Sequence, residues 1–461
     1  MGISHSSNII FLERHKTAIL ISFLGIALSF TAVFFKPVYL MGFLGLIVFG
    51  FAFLKKTQTT TLLLILTFPI IRGISESTTL FSGSALSINI LGIMNILIPI
   101  MVATYLFLHR IRFSSFKLFK PVAIFVIYLL FGVFYSVSPF GTVREFFRIL
   151  MSISFYFIIA GLNLEEREAR KFLFAILLSA IVPLLVGGYQ YVNRNCVDEL
   201  SEMNRIFSTF GHPNVYAMFL VICILLTSYL YLSHNWLGGK IVLVSYLGVL
   251  FFSLFNTFAR IGWGTCAFSL LSLGILMKKR FVLYVFASLV IIFLLVSSVS
   301  NLFLERIKPD YSSISRLAFN QVSLSFFAQR PILGAGLGSY QFLSLDVLGT
   351  RVEAYGKALG FGPHNDYFKF LVENGLIGLF LYLFLMYSGL RMGIKLYRST
   401  DNKSKGYGAF LISLILLILL FGITDSGFAQ AGMYLWILIG IIERKYRLEN
   451  PETFDQTEQI R

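Results

Sequence analysis

The stretch Pro363-His364-Asn365-Asp366-Tyr367-Phe368-Lys369-Phe370-Leu371-Val372-Glu373-Asn374-Gly375-Leu376-Ile377-Gly378 opens an apolar run that continues to residue 390. The run exceeds the ~18 residues that cross a bilayer, so it reads as a membrane-spanning helix over 366–390. Its first turns carry a histidine at the mouth and a carboxylate further in. Polar groups placed so are costly unless paired or used. The helix starts after Pro363, and Asn365 or Asp366 can cap its first turn. Glu373 lies about 13 Å further along the axis on a roughly opposite face, so it does not pair with His364. Gly375 and Gly378 leave room for a neighbouring helix.

The rest of the chain repeats this apolar pattern. Hydrophobic residues make up 57% and charged residues 13% of the 461 positions, and mean hydropathy is +0.81. Soluble domains carry roughly 25% charged residues. Apolar runs fall near 17–35, 38–54, 58–72, 88–108, 120–137, 146–162, 170–191, 213–232, 240–258, 261–277, 281–299, 366–390, 407–424 and 431–442. They are continuous rather than alternating, which argues against a β-barrel. The expected fold is all-α, a polytopic transmembrane helical bundle of about 12–14 spans. It forms one integral membrane domain over 1–461.

The net charge of +16 does not point to nucleic acid. Lys55-Lys56, the segment Arg110 to Lys120, Lys278-Lys279-Arg280, the segment Arg391 to Lys405 and Arg444-Lys445 fall on one side of the alternating spans. That side is expected to be cytoplasmic, with both termini inside. Three cysteines show neither a disulfide frame nor zinc spacing. The N-terminal sixteen residues lack a cleavable-signal pattern, so the first span is expected to stay in the membrane. Four longer polar segments face outward, near 73–87, 138–145, 192–212 and 300–365. The last contains apolar residues at helical spacing from Arg316 to Phe327, then Pro331 and the glycines 334, 336 and 338. It reads as a helical cap on the outer surface followed by a glycine-rich turn. No internal repeat is apparent.

Two further cations stand out. Arg260, in Thr257-Phe258-Ala259-Arg260-Ile261-Gly262, sits in a near-absent turn between two spans on the outer side. The positive-inside bias gives no reason for a cation there. Arg205 begins Arg205-Ile206-Phe207-Ser208-Thr209-Phe210-Gly211-His212-Pro213-Asn214, which enters the next span from the same side, with His212 at or near the cap. Arg205, Arg260 and His364 thus converge on one face. Guanidinium forks hold phosphate oxygens bidentately, and a histidine can take a proton from a hydroxyl. Such a set suits attack of a sugar hydroxyl on a sugar whose leaving group is a lipid diphosphate. The chain has no Asp-x-Asp motif and no metal-ligand spacing, as expected if arginines do a cation's work.

These segments resemble the O-antigen ligase and polymerase family of bacterial envelope glycosyltransferases. The resemblance rests on Arg205 to Asn214, on Ala259-Arg260-Ile261-Gly262 with alanine in place of the family's serine, and on Arg330 to Gly338 followed by Pro363-His364-Asn365 and Glu373-Asn374-Gly375. It covers 205–390, and the preceding residues match by hydropathy only. It implies an inverting, metal-independent transferase without cofactors. The donor is a glycan on undecaprenyl diphosphate, and the acceptor is lipid A-core or a lipid-linked glycan. The site faces the periplasm from the inner membrane. His364 would activate the acceptor, Arg205 and Arg260 would hold the diphosphate, and Arg316 and Arg330 would assist. Asn214, Asn365 and Glu373 support the set. The competing readings are a lipid-linked glycan flippase or other transporter, which would place its ionisable groups near the midplane, and a non-catalytic assembly protein.

Overall fold

The structure is a computed structural model describing residues 48–77, 81–82, 87–88, 90–194, 196, 204–233, 237–278, 311–348, 352–354, 357–359 and 362–450. By internal contacts the chain divides into residues 1–63 and 64–461. In the first unit, residues 48–55 are helical. Helix α1 runs over Thr57–Ser77. It is followed by α2 (Ile90–Leu108), α3 (Phe119–Phe131), α4 (Pro139–Gly161), α5 (Glu166–Leu178) and α6 (Ile181–Asn193). Then come α7 (Pro213–Ser233), α8 (Leu237–Asn256), α9 (Arg260–Leu276) and α10 (Tyr311–Gln329). The last three are α11 (Asp366–Tyr397), α12 (Asn402–Phe421) and α13 (Gly427–Glu449).

Among the described residues seven helices are long and apolar enough to cross a membrane, and two shorter apolar helices cover Phe119–Phe134 and Arg260–Leu276. The architecture is the expected all-α, multi-pass one. The spans expected at 17–35 and 281–299, and most of 38–54, lie outside the described residues. The other expected spans each coincide with a helix, the one at 170–191 as α5 and α6 together. Strand among the described residues is confined to two antiparallel hairpins, β1 (Phe81–Ser82) with β2 (Ser87–Ile88) and β3 (Val352–Ala354) with β4 (Lys357–Leu359). The second hairpin lies inside the 300–365 segment, where the sequence leads one to expect a helical cap and a glycine-rich turn but no strand.

Helix α7 is the centre of the larger unit. Its residues Asn214 to Leu230 are all buried, as a helix apolar on every side requires. It packs against α8, α9, α12 and α13. Helix α8 is a peripheral element. One third of its span is buried (33%), and Ile241, Val242, Val249 and Phe252 point outward, a face suited to acyl chains.

Helix α11 is broken. Gly375 adopts φ 64°, ψ −168°, a region that essentially only glycine enters. A break in an apolar setting exposes backbone groups that cost several kcal/mol each if unmet. The glycine-rich turn meets them. Ala335 N–H donates to the Val372 carbonyl at 2.9 Å, Gly336 N–H to Glu373 at 2.8 Å, and Leu376 N–H to Pro331 at 2.9 Å. From α3, the Tyr128 hydroxyl donates to the Asn374 carbonyl at 2.6 Å. Gly375 therefore admits this loop, its α-carbon face lying on the Ile332 carbonyl, rather than the neighbouring helix expected from the sequence. Gly378 does face a helix, since a Cβ there would stand 3.3 Å from Tyr128.

Gly375→Ala should destabilise the protein by about 1–3 kcal/mol or more, because alanine is strained in this conformation and meets the loop. Gly248→Ala, on the exposed face of α8 with nothing within 4 Å, should stay within about 0.5 kcal/mol. Melting of the detergent-solubilised proteins compares the two.

Candidate active site

The first turn of α11 is fixed by its cap. Asn365 Oδ1 accepts from Phe368 N–H at 3.1 Å, and Asn365 Nδ2 donates to the Ile423 carbonyl at 2.7 Å. Asp366 N–H donates to the Gly422 carbonyl at 2.8 Å. The Asp366 carboxylate accepts from Phe428 N–H at 2.8 Å, so it caps the start of α13, where helix N–H groups need acceptors. The starts of α11 and α13 and the end of α12 are thereby tied together. His364 sits just before this cap at φ 47°. Histidine tolerates this left-handed conformation better than most residues, yet it still costs about 1–2 kcal/mol. The ring stacks over Phe319 of α10, with centroids 6.1 Å apart.

The partner of His364 is Asp425, in the link between α12 and α13. Nδ1 of His364 lies 3.6 Å from Asp425 Oδ1. Asp425 is 2% exposed and surrounded by donors. Oδ1 accepts from Ser426 N–H and Gln430 Nε2, both at 2.7 Å, and Oδ2 accepts from Asn214 Nδ2. Burial alone would raise its pKa. The His364 ring, the Asn214 amide and the nearby His212 outweigh burial and hold the carboxyl below its ordinary range. Asn214 belongs to the first turn of α7, where the His212 Nδ1 accepts from Asn214 N–H at 3.2 Å. His212 thus caps α7 as expected.

Arg205 is anchored on the same side of the fold. Its Nε donates to the Thr257 carbonyl at 3.4 Å, and Ile206 N–H donates to Asn256 at 3.1 Å. Gln190 fixes the segment from α6 by accepting from Ser208 N–H at 2.7 Å. The turn 256–259 that receives Arg205 leads directly into Arg260, the first residue of α9. Gly262 is filled by close approach of Ala217 from α7, whereas Gly264 is open.

Contacts therefore link the three sequence elements in two steps. Arg205 joins the turn preceding Arg260, and Asn214, from the same segment as Arg205, joins His364 through Asp425. Glu373, 1% exposed, is taken up by Lys369 one turn earlier, at 2.8 Å to both oxygens, and by Tyr340 N–H at 3.4 Å. Its carboxylate is thus engaged by its own helix and by the Tyr340 amide rather than by His364. Arg330 is exposed and reaches the Tyr135 carbonyl at 3.4 Å. Arg316 lies on α10.

Several groups at this end were not singled out by sequence. Asp425 is the main one. The signal that could have found it is a lone charge in the short link between two apolar runs. Arg72, over the Phe210 ring at 5.4 Å, adds a cation. Arg148 on α4 pairs with Glu145, at 2.9 Å from Nε, and is coupled electrostatically to Glu373 and Asp366.

The lowered Asp425 pKa stabilises the fold above the ordinary carboxylate range, and that stability is lost as pH falls through the depressed value. The melting difference between wild type and Asp425→Asn should be largest near neutrality and shrink below about pH 4. A difference that stays constant down to acid pH would mean the charge does not matter.

Residues 243–383 match a family described as O-antigen ligase. A protein of Rickettsia felis provisionally named a polysaccharide ligase is 25% identical over 116 residues, 24% of this chain and 28% of the relative. One of Rickettsia conorii with the same provisional name is 26% identical over 117 residues, 25% and 28% respectively. The chain thus aligns with less than a third of the length of these curated relatives. The family match contains Arg260, Arg316, Arg330, His364, Asn365 and Glu373, and leaves out Arg205, Asn214 and Asp425. The resemblance read from the motifs is borne out where they are densest: residues 243–383 match the O-antigen ligase family, within a chain whose apolar helices are those of a multi-pass membrane protein.

Proposed function

We propose that this chain is an inverting glycosyltransferase. It moves a glycan from undecaprenyl diphosphate to a sugar hydroxyl of lipid A-core or of a lipid-linked glycan. The observation that carries the reading is the contact between His364 Nδ1 and the buried Asp425 carboxylate. A carboxylate on one ring nitrogen favours the tautomer that leaves the other nitrogen free to accept a proton, and steadies the imidazolium once formed.

In the proposed reaction, His364 Nε2 takes the acceptor hydroxyl proton. The oxygen attacks the anomeric carbon from the face opposite the leaving group. The bond from that carbon to the diphosphate oxygen breaks, and the configuration inverts. Arg205 and Arg260 hold the departing lipid diphosphate, whose added charge needs fixed cations rather than a titratable group. Arg330 and Arg316 assist from the cap. Asn214 acts through Asp425, and Asn365 and Glu373 hold the helix that presents His364. No metal ion takes part.

In this reading the chain is one integral domain of the bacterial inner membrane. The 300–365 cap and the site lie on the periplasmic face, and both termini are cytoplasmic. Two features support that orientation. Lys278 and the basic loop 397–405 lie at the helix ends away from His364, and the ionisable site groups gather at one end of the bundle rather than at mid-height. The latter favours a transferase over a flippase.

The test uses purified protein in detergent with a lipid-diphosphate glycan donor and a hydroxyl acceptor. Transfer without a sealed compartment is expected. His364→Ala should lower kcat by about 10²–10⁴ with normal membrane insertion. Undiminished transfer by that variant would remove His364 as the base. Arg205→Lys or Arg260→Lys should each lose on the order of 10²-fold, because a point charge lacks the guanidinium fork.

A further inference from the structure

At the helix ends away from His364 lies a cavity of about 810 Å³. It is bounded by the starts of α5 and α12 and the ends of α7, α9 and α11. Its size falls within the roughly 300–1,000 Å³ of small-ligand sites. Four cations line it, Arg170, Lys278, Lys403 and Lys405, against one carboxylate, Glu166. Glu166 is engaged by two of them, Arg170 at 2.5 Å and Lys403 at 2.9 Å. Lys278 and Lys405 have no carboxylate partner among the described residues.

The wall below this rim is aromatic and apolar. Tyr229 and Tyr407 stand 5.5 Å apart, and the Tyr397 hydroxyl donates to the Leu276 carbonyl at 3.0 Å. Leu173 and Leu230 complete it. Unneutralised lysines over such a wall attract an anion that also has an apolar part. Tyrosines and cations at the ends of membrane helices sit at headgroup level, and basic pockets between such helices hold lipid phosphates.

We propose that this cavity binds the phosphate headgroup of an anionic phospholipid, with Lys278 and Lys405 supplying the charge that selects it. The site is separate from the transfer reaction and stands whether or not His364 is a base. Free phosphate shares the headgroup chemistry but gains nothing from the apolar wall, so the two sources are separable.

The full chain in neutral detergent is titrated with phosphatidylglycerol, phosphatidylcholine and inorganic phosphate, and bound lipid is read by native mass spectrometry. Phosphatidylglycerol should bind more tightly than phosphatidylcholine. Lys278→Gln with Lys405→Gln should weaken phosphatidylglycerol roughly thirtyfold, about fivefold per lysine, and leave phosphatidylcholine unchanged. Glu166→Gln releases Arg170 and Lys403 and should tighten phosphatidylglycerol, which keeps the test open if the double variant fails to fold. Equal binding of the two lipids, or a phosphatidylglycerol affinity unmoved in both variants, overturns the proposal. So does displacement of phosphatidylglycerol by inorganic phosphate at matching concentration, which would make the cavity a free-anion site.

Discussion

A helix interrupted inside an apolar environment must find new backbone partners, and the architecture around His364 follows from how α11 does so. The loop 331–336 lends its amides and carbonyls to residues 372–376 and replaces bonds that the break at Gly375 removes. The exchange holds the first turns of α11 as a separate short piece. It also fixes the segment carrying Arg330 against the body of the protein. Unpaired groups at that depth would cost more than the loop's ordering, which makes the pairing obligatory rather than decorative.

A second buried requirement completes the site. Asp425 can remain charged at 2% exposure only because donors from three elements reach it. Such a carboxylate is a poor stabiliser in itself, since desolvation offsets much of the attraction. Its effect is one of placement. It joins the start of α7 to the histidine before α11, and so relates the segment of Arg205 to the one of His364. Asp366 does parallel work at the start of α13.

The helices were legible in the sequence because apolar runs of bilayer length leave few alternatives. The cap at Asn365, the start of α7 at Pro213 and the tight turn before Arg260 were legible from local chemistry. The break at Gly375 was not. Angular counting along a helix presumes an unbroken helix, and the glycine could equally serve a close helix contact. Counting along the helix separates Glu373 from His364, and the Lys369 partner is legible only as an i, i+4 pair on the unbroken first turns. Asp425 was illegible as a partner because its neighbours come from distant parts of the chain. The roles proposed for Arg205, Arg260 and His364 follow from side-chain chemistry and from the resemblance, which a single sequence carries in three short motifs.

The separation between Asn214 and Asp425 is 211 positions. During synthesis the membrane receives α7 and α11 well before the link that follows α12. Until then His364 and Asn214 have no shared anion to meet around. The segments of Arg205 and Arg260 are therefore made before the anion that orients the histidine, so under the proposed reading a chain that has not yet reached Asp425 is an incomplete catalyst.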